Sequence, residues 1–347
     1  MKDYKSKLWN DSPNLIRGFY ESEQKYKSLC EEVEYILHKE IDKVGVEISS
    51  ISSRSKSIES FCEKINRKQY SNPFKEMTDF SGARIVYLYE EDKEILEHVI
   101  ENNFVVIEKV DKISTDNVDR FGYGALHYVV QLTENFTGPR YEELYGLYCE
   151  IQVRTILQDA WAVVAHHLSY KQESDVPKPL RRKLNALSGL FETADDQFSS
   201  IRKKRVAYKA SVQEDIKNEK DSSLNVEMEA DNLTAYLQVK YPDISDNNES
   251  KVVELLGDLK RCGYITLSEL DDLMERSATA VRNYEKAHPP YDPVTDKHTK
   301  YKSVGLVRAA LGITSDEYFE KFSDDSMRVR QKEKMTKFRK AVQAKDT

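Results

Sequence analysis

Apolar residues recur at Tyr26, Leu29, Val33, Leu37 and Val44, a spacing that predicts a helix over residues 21–44. Val46, Ile48 and the serines after them predict a short extended piece leading into "SSRSKSIESFCEKINRK" (52–68), where Ser57 is placed to cap a helix beginning at Ile58. Apolar runs at 84–89, 104–108, 126–132 and 145–154 predict strands, with a helix over 91–102 between the first two. Within 145–154 the alternation sends Leu147, Cys149, Ile151 and Val153 to one face, and Tyr148, Glu150, Gln152 and Arg154 to the other. From Ile156 a helix is expected to about Tyr170, with Leu157, Trp161, Val164 and Leu168 on one stripe. Beyond Pro177 and Pro179, the residues Leu180, Leu184, Leu187, Phe191, Ala194, Phe198 and Ile201 repeat in a 4-3 pattern. That pattern predicts a long helix whose narrow apolar seam packs on another element.

Strands and helices in this order predict an α/β or α+β domain over 1–210. Residues 211–228 are polar and weakly periodic and are read as a linker. A second, mainly helical domain follows over 229–347. Three helices are expected in "NLTAYLQVKYP", "SKVVELLGDLKRCGY" and "TLSELDDLMERSATAVRNYEKA", the last opened by a Thr266–Glu269 capping box. Residues 288–305 carry prolines and aromatics and read as a loop, and the tail reads as a basic helix.

Charged residues make up 33% of the 347-residue chain and hydrophobic ones 39%, the balance of a water-soluble globular protein. No apolar run is long enough to cross a bilayer, and the start lacks an apolar signal core, so a cytoplasmic location is expected. Cys30, Cys62, Cys149 and Cys262 show no paired spacing, which argues against a disulfide framework or a zinc site. The net charge of −7 does not advertise nucleic-acid binding, yet cations cluster at Arg181, Arg182 and Lys183, and at Arg202, Lys203, Lys204 and Arg205. The segment 328–347 adds eight Lys/Arg against two acids. Such patches are either solvated helix faces or binding surfaces for phosphates.

Candidate chemistry concentrates where acids meet strands. Glu150, in a row with Gln152 and Arg154, needs partners in a cleft if its strand is central. Asp79, just before "SGARIVYLY", is either a turn former or a second acid beside it. Two such carboxylates suit a Mg²⁺ ion carrying nucleotide phosphates. Arg54, Lys56 and Lys64 supply cations for those phosphates, with Ser57 and the amides opening its helix beside them. In "FGYGALHYVV" (121–130), Tyr123 lies between glycines, free to stack or to pack, and His127 follows on one face of a strand.

Taken together, "SRSKSIESFCEKI", "DFSGARI", "GYGALH" and "EIQVRTILQDAWAVVAHHLSYK" resemble, in order, the motifs of the RelA/SpoT nucleotide pyrophosphokinases over roughly residues 45–171. The resemblance implies a nucleotidyltransferase-like α+β synthetase fold, a mixed β-sheet flanked by helices, that uses ATP and Mg²⁺, donating the β,γ-pyrophosphate to a ribose hydroxyl and releasing AMP. It implies Arg54 against the adenine, Lys56, Ser57 and Lys64 on the phosphates, and Arg84 among the ATP contacts. Asp79 and Glu150 would hold Mg²⁺, with Glu150 also the base. Gln152 and Arg154 would order the cleft, Tyr123 would stack on the acceptor base, and His127 would stand near the acceptor.

Members that make alarmones carry a basic residue and then a serine after the motif tyrosine, where this chain has Gly124 and Ala125. A cleft without that cation suits an acceptor lacking a 5′ polyphosphate, as in the toxic small synthetases that modify the tRNA 3′ CCA end. The two basic clusters would then hold the acceptor stem. The alternative is an alarmone synthetase making guanosine or adenosine polyphosphates. Residues 229–347 resemble the antitoxin domain of the CapRel group of anti-phage synthetases, including its pseudo-zinc-finger element. That resemblance implies an autoinhibited enzyme released by a phage major capsid protein, with Tyr318, Phe319 and Phe322 as candidates for an aromatic plug; a monomer is expected rather than an oligomer.

Overall fold

The computed structural model describes residues 4–68, 70–111, 124–169, 177–218, 224–246, 248–320 and 326–343. The chain divides into two compact units, Met1–Ile201 and Arg202–Thr347.

In the first unit, helices α1 (Tyr4–Asp11) and α2 (Pro13–Val44) precede strand β1 (Ile48–Ser55), α3 (Ile58–Arg67) and the short α4 (Pro73–Glu76). Strand β2 (Ser81–Tyr87), α5 (Lys93–Asn103), β3 (Phe104–Asp111), β4 (Leu126–Leu132) and β5 (Cys149–Thr155) follow. Next come α6 (Ile156–Ser169) and α7 (Lys178–Lys217). The five strands form one sheet in the order β1-β2-β5-β4-β3, with β2 and β5 parallel and the other pairs antiparallel. The fold is therefore α+β with a mixed sheet, and β5 lies at its centre.

The register separates the two faces. Ile51, Ile85, Val153 and Leu126 lie side by side across four strands, as do Ser53, Ala83, Ile151 and Tyr128. These rows face α2 and α5, whose Val33, Leu37, Leu96 and Ile100 are fully buried with them. Each such side chain contributes about 1.5–3 kcal/mol by leaving water. The opposite rows, Ser52–Arg84–Gln152–His127 and Arg54–Gly82–Glu150–Val129, carry the polar chemistry. A second cluster anchors the N-terminal helices. Phe80 stacks on Tyr26 at 4.5 Å and on Phe74 at 5.8 Å, while buried Ser81 Oγ donates to the Tyr26 carbonyl at 2.9 Å.

Helix α7 departs from its expected seam. Phe191 meets Trp161 at 6.1 Å, but Leu187, Phe198 and Ile201 are 46%, 48% and 60% exposed. The face that α7 buries is polar instead: Ser188, Asp195 and Ser199, spaced seven and four residues apart, are all under 9% exposed. Thr155 Oγ1 donates to Asp195 Oδ2 at 2.7 Å, and a hydrogen bond of that kind satisfies a group the apolar seam could not.

In the second unit, α8 (Ala230–Lys240), α9 (Glu249–Arg261) and α10 (Leu267–Ala287) confirm the three expected helices. The Thr266–Glu269 capping box is formed. Strands β6 (Tyr291–Asp292) and β7 (Lys297–His298) make a small hairpin inside the segment read as a loop, and helix α11 (Ser303–Thr314) already starts there. Its turn is held by Asp292, which accepts from Val294 N at 3.0 Å and Thr295 Oγ1 at 2.7 Å. Helices α12 (Asp316–Glu320) and α13 (Ser326–Gln343) complete the unit.

Residues 211–228 do not behave as a plain linker. Helix α7 continues to Lys217, and Ile216 and Met228 are buried in the second unit's core, with Val212, Leu224 and Val226 packed on it. Val212 and Ile216, one helical turn apart, supply the apolar contact that the polar composition concealed. Among the described residues, no group of three or more His, Cys, Asp or Glu is placed to hold a metal, and no helix is long and apolar enough to cross a membrane.

Candidate active site

The polar face of the sheet opens into a cleft of about 460 Å³, within the usual span of about 300–1,000 Å³ for ligand pockets. Its walls include Arg54, Lys56, Ser57, Asp79, Arg84, Glu150 and Gln152. Three further predicted residues reach it through these. Lys64 contacts Asp79, His127 contacts Glu150, and Arg154 donates to Gln152.

Each side chain is set by its element. Ser57 Oγ caps α3 by accepting from Ser60 N at 3.3 Å, so the first amides of that helix face the cleft beside Lys56. Asp79 lies where the chain enters β2, and Lys56 N donates to the Phe80 carbonyl at 2.8 Å, tying β1's end to that entry. Asp79 Oδ2 receives both Lys56 Nζ, at 2.8 Å, and Lys64 Nζ, at 2.7 Å. Burial pushes the Asp79 carboxyl up, but the two ammonium groups outweigh it and hold its pKa below the ordinary carboxylate value. Its other oxygen, Oδ1, is buried with no hydrogen-bond partner among the described residues.

Glu150 stands on β5 opposite Gly82 of β2, and its Oε1 lies 2.7 Å from His127 Nδ1. His127 is 9% exposed, so its ring is fixed by the sheet rather than by solvent. One strand step further, Arg154 Nη2 donates to Gln152 Oε1 at 2.9 Å. Burial, with the neighbouring Arg84 charge, lowers the Arg154 pKa. Asp159, in the first turn of α6, lies 3.0 Å from Arg84 Nη1 and 3.6 Å from Arg154 Nη1. In the sequence Asp159 falls within the longest motif but nothing there gives it a part. Its distance from Arg84 along the chain hides the contact.

The structure thus brings together Arg54, Lys56, Ser57, Lys64, Asp79, Arg84, His127, Glu150, Gln152 and Arg154. Tyr123 lies outside the described residues. The basic clusters are on α7 and contribute none of the described residues that line the cleft. Arg182, Lys183, Lys203 and Lys204 are exposed, Arg202 is half-buried, and the Arg181 side chain is outside the described residues. Arg205 is engaged within the second unit, donating to both oxygens of Asp231 at 2.7 and 2.8 Å. Tyr318 is 6% exposed in the second unit's core, and Phe319 packs under Arg339 at 4.2 Å and Lys332 at 4.9 Å. Both rings therefore serve packing there, since a buried aromatic or one with cations on its face has its surface already used. Phe322 lies outside the described residues.

Residues 53–175 match the family described as the region found in RelA/SpoT proteins. The GTP pyrophosphokinase YwaC of Bacillus subtilis is 32% identical over 162 residues, covering 45% of this chain and 74% of that protein. The GTP pyrophosphokinase YjbM of the same organism is 27% identical over 159 residues, covering 45% of this chain and 72% of that protein. Among solved structures, small alarmone synthetase 2 from Bacillus subtilis is 25% identical, with a TM-score of 0.47 over 54% of this chain and 98% of that one.

Proposed function

The chain belongs to the RelA/SpoT family and is a diphosphotransferase, and on that premise we propose that it moves the β,γ-pyrophosphate of ATP to the 3′ end of a tRNA. The observation that carries the choice of acceptor is the pair after Tyr123. Gly124 and Ala125 offer no cation for a 5′ polyphosphate, and Ala125 is buried at 4% exposed. A tRNA 3′ adenosine brings no such group.

In this reading Arg54 lies against the adenine, and Lys56, Lys64, Ser57 and the α3 amides take the triphosphate. Asp79 and Glu150 fit a magnesium ion. One Asp79 oxygen is buried and has no partner among the described residues, and two carboxylates with phosphates form the hard oxygen set that this ion prefers. When bound, Mg²⁺ supplies charge neutralisation of the phosphates. Glu150, oriented by His127, takes the proton from the ribose hydroxyl. The hydroxyl oxygen forms its bond to the β-phosphorus, the bond from that phosphorus to the α,β-bridging oxygen breaks, and AMP leaves with the electron pair. Gln152 holds Arg154, and Tyr123 stacks on the acceptor base.

A block on the CCA end stops aminoacylation, so such an enzyme needs restraint. The second unit, with its pseudo-zinc-finger resemblance, takes the part of a fused antitoxin, released by a phage major capsid protein. The exposed cations Arg182, Lys183, Lys203 and Lys204 serve the tRNA backbone.

A second reading has one observation of its own: both curated relatives are named GTP pyrophosphokinases. ATP labelled in the γ-phosphate, offered separately with bulk tRNA and with GDP or GTP, decides between them. Label on tRNA supports the first reading. Label on GDP or GTP alone sinks it in favour of alarmone synthesis.

A further inference from the structure

Two arginines stand close together on the polar face of the sheet. Arg84 comes from β2 and Arg154 from β5, and α6 packs its first turn over them. Their like charges disfavour this closeness, and the lowered Arg154 pKa reflects burial first and Arg84 next. The oxygen that answers both is Asp159 Oδ1, at 3.0 Å from Arg84 Nη1 and 3.6 Å from Arg154 Nη1. The three side chains are 30%, 13% and 23% exposed, so solvent screens this cluster only in part.

The contacts leave something over. Among the described residues, Arg84 Nε and Arg154 Nε are buried without hydrogen-bond partners, and Asp159 Oδ1 accepts no well-aligned hydrogen bond from either guanidinium. Asp159 therefore holds the pair by charge, while donor capacity on both arginines remains unused. Arg84 lines the cleft that also holds Lys56, Asp79 and Glu150. A long cationic side chain there must be kept from swinging toward solvent if it is to meet a ligand without an ordering cost.

We propose that Asp159 is a positioning residue for the nucleotide donor: it holds Arg84 and Arg154 together over the cleft, so that Arg84 is aimed at ATP before ATP arrives. This rests on the donor reading given above. Asp159 touches no substrate itself and acts through Arg84. A competing role, favourable charge at the N-terminus of α6, would stabilise the helix without involving Arg84.

The test uses the full chain and the α,β-methylene analogue of ATP with Mg²⁺, whose donor bond cannot break, so no acceptor is needed. Affinity is read by calorimetry for wild type, Asp159→Asn, Asp159→Glu, Arg84→Gln and the Asp159→Asn/Arg84→Gln double variant, with melting midpoints alongside. Asp159→Asn is expected to weaken binding about tenfold, a size typical of coupled neighbours. Asp159→Glu should recover most of that loss. The double variant should bind no more weakly than Arg84→Gln alone, because Asp159 has nothing left to aim. It also removes one of the two repelling charges, so it stays informative if Asp159→Asn folds poorly. If Asp159→Asn binds like wild type, or the two losses multiply in the double variant, this proposal is overturned alone. If wild type fails to bind the analogue, the donor reading falls and takes this proposal with it.

Discussion

Asp79 receives two ammonium groups on one oxygen and leaves the other buried with no partner among the described residues, an arrangement that a further cation completes. Asp79→Asn keeps the shape and removes the charge, and should cut pyrophosphate transfer by at least about 10²-fold, as losing a transition-state electrostatic contact does. Glu150→Gln should do the same, and circular dichroism should show both variants folded. Near-normal AMP release from either purified variant would remove the two-carboxylate site. His127→Ala removes the partner 2.7 Å from Glu150 Oε1 and should lower turnover by about tenfold with the nucleotide affinity kept. At Gly124, replacement by Arg should weaken transfer to tRNA; unchanged tRNA labelling would show that this position does not read the acceptor. Glu150, Gln152 and Arg154 could be found in the sequence because the alternation in 149–155 is strict: all three are half-buried and their neighbours buried. Asp159 could not, since its partners lie on β2 and β5 and only the fold brings them near.

Period and caps revealed most elements, and composition misled where it stood alone. Strand β1, read in the sequence as a short extended piece despite its serines, pairs with β2 with Ile51 as its one buried anchor, opposite Ile85. The apolar 4-3 seam of α7 was readable, but which face the fold buries was not. That choice follows from Thr155 and Asp195, polar groups on separate elements. At α10, Thr266→Ala should cost about 1 kcal/mol, since it breaks a formed capping box; urea unfolding of the full chain measures it. Asp231 of α8 offers a pH test. The hydrogen bond from Arg205, opposed by burial and aided by Lys209, holds its pKa below the ordinary value. A depressed carboxyl stabilises the fold above its unfolded pKa and loses that contribution as pH falls through the folded one. Asp231→Asn should thus cost up to about 1 kcal/mol at neutral pH, and the gap to wild type should close as the solution is acidified below the ordinary Asp range. A gap constant with pH would show that the ion pair contributes nothing.

For the molecule as a whole, the proposed restraint predicts that cells tolerate the full chain, while a chain stopped near residue 210 arrests growth and translation. Equal harmlessness, with the shortened protein folded and able to bind ATP, would remove the antitoxin reading. The boundary between the units also has a consequence for inheritance. It falls at Ile201–Arg202, inside α7 rather than in a loop, and the second unit's core reaches back to Ile216. A recombination event that joined a new C-terminal module at residue 229 would leave behind Ile216, Met228 and Arg205, the partner of Asp231. A productive exchange must carry the latter part of the helix with the module. Fragment 202–347 should therefore unfold cooperatively on its own, whereas 229–347 should not, and any lineage that shuffles such modules should show its seams within a helix.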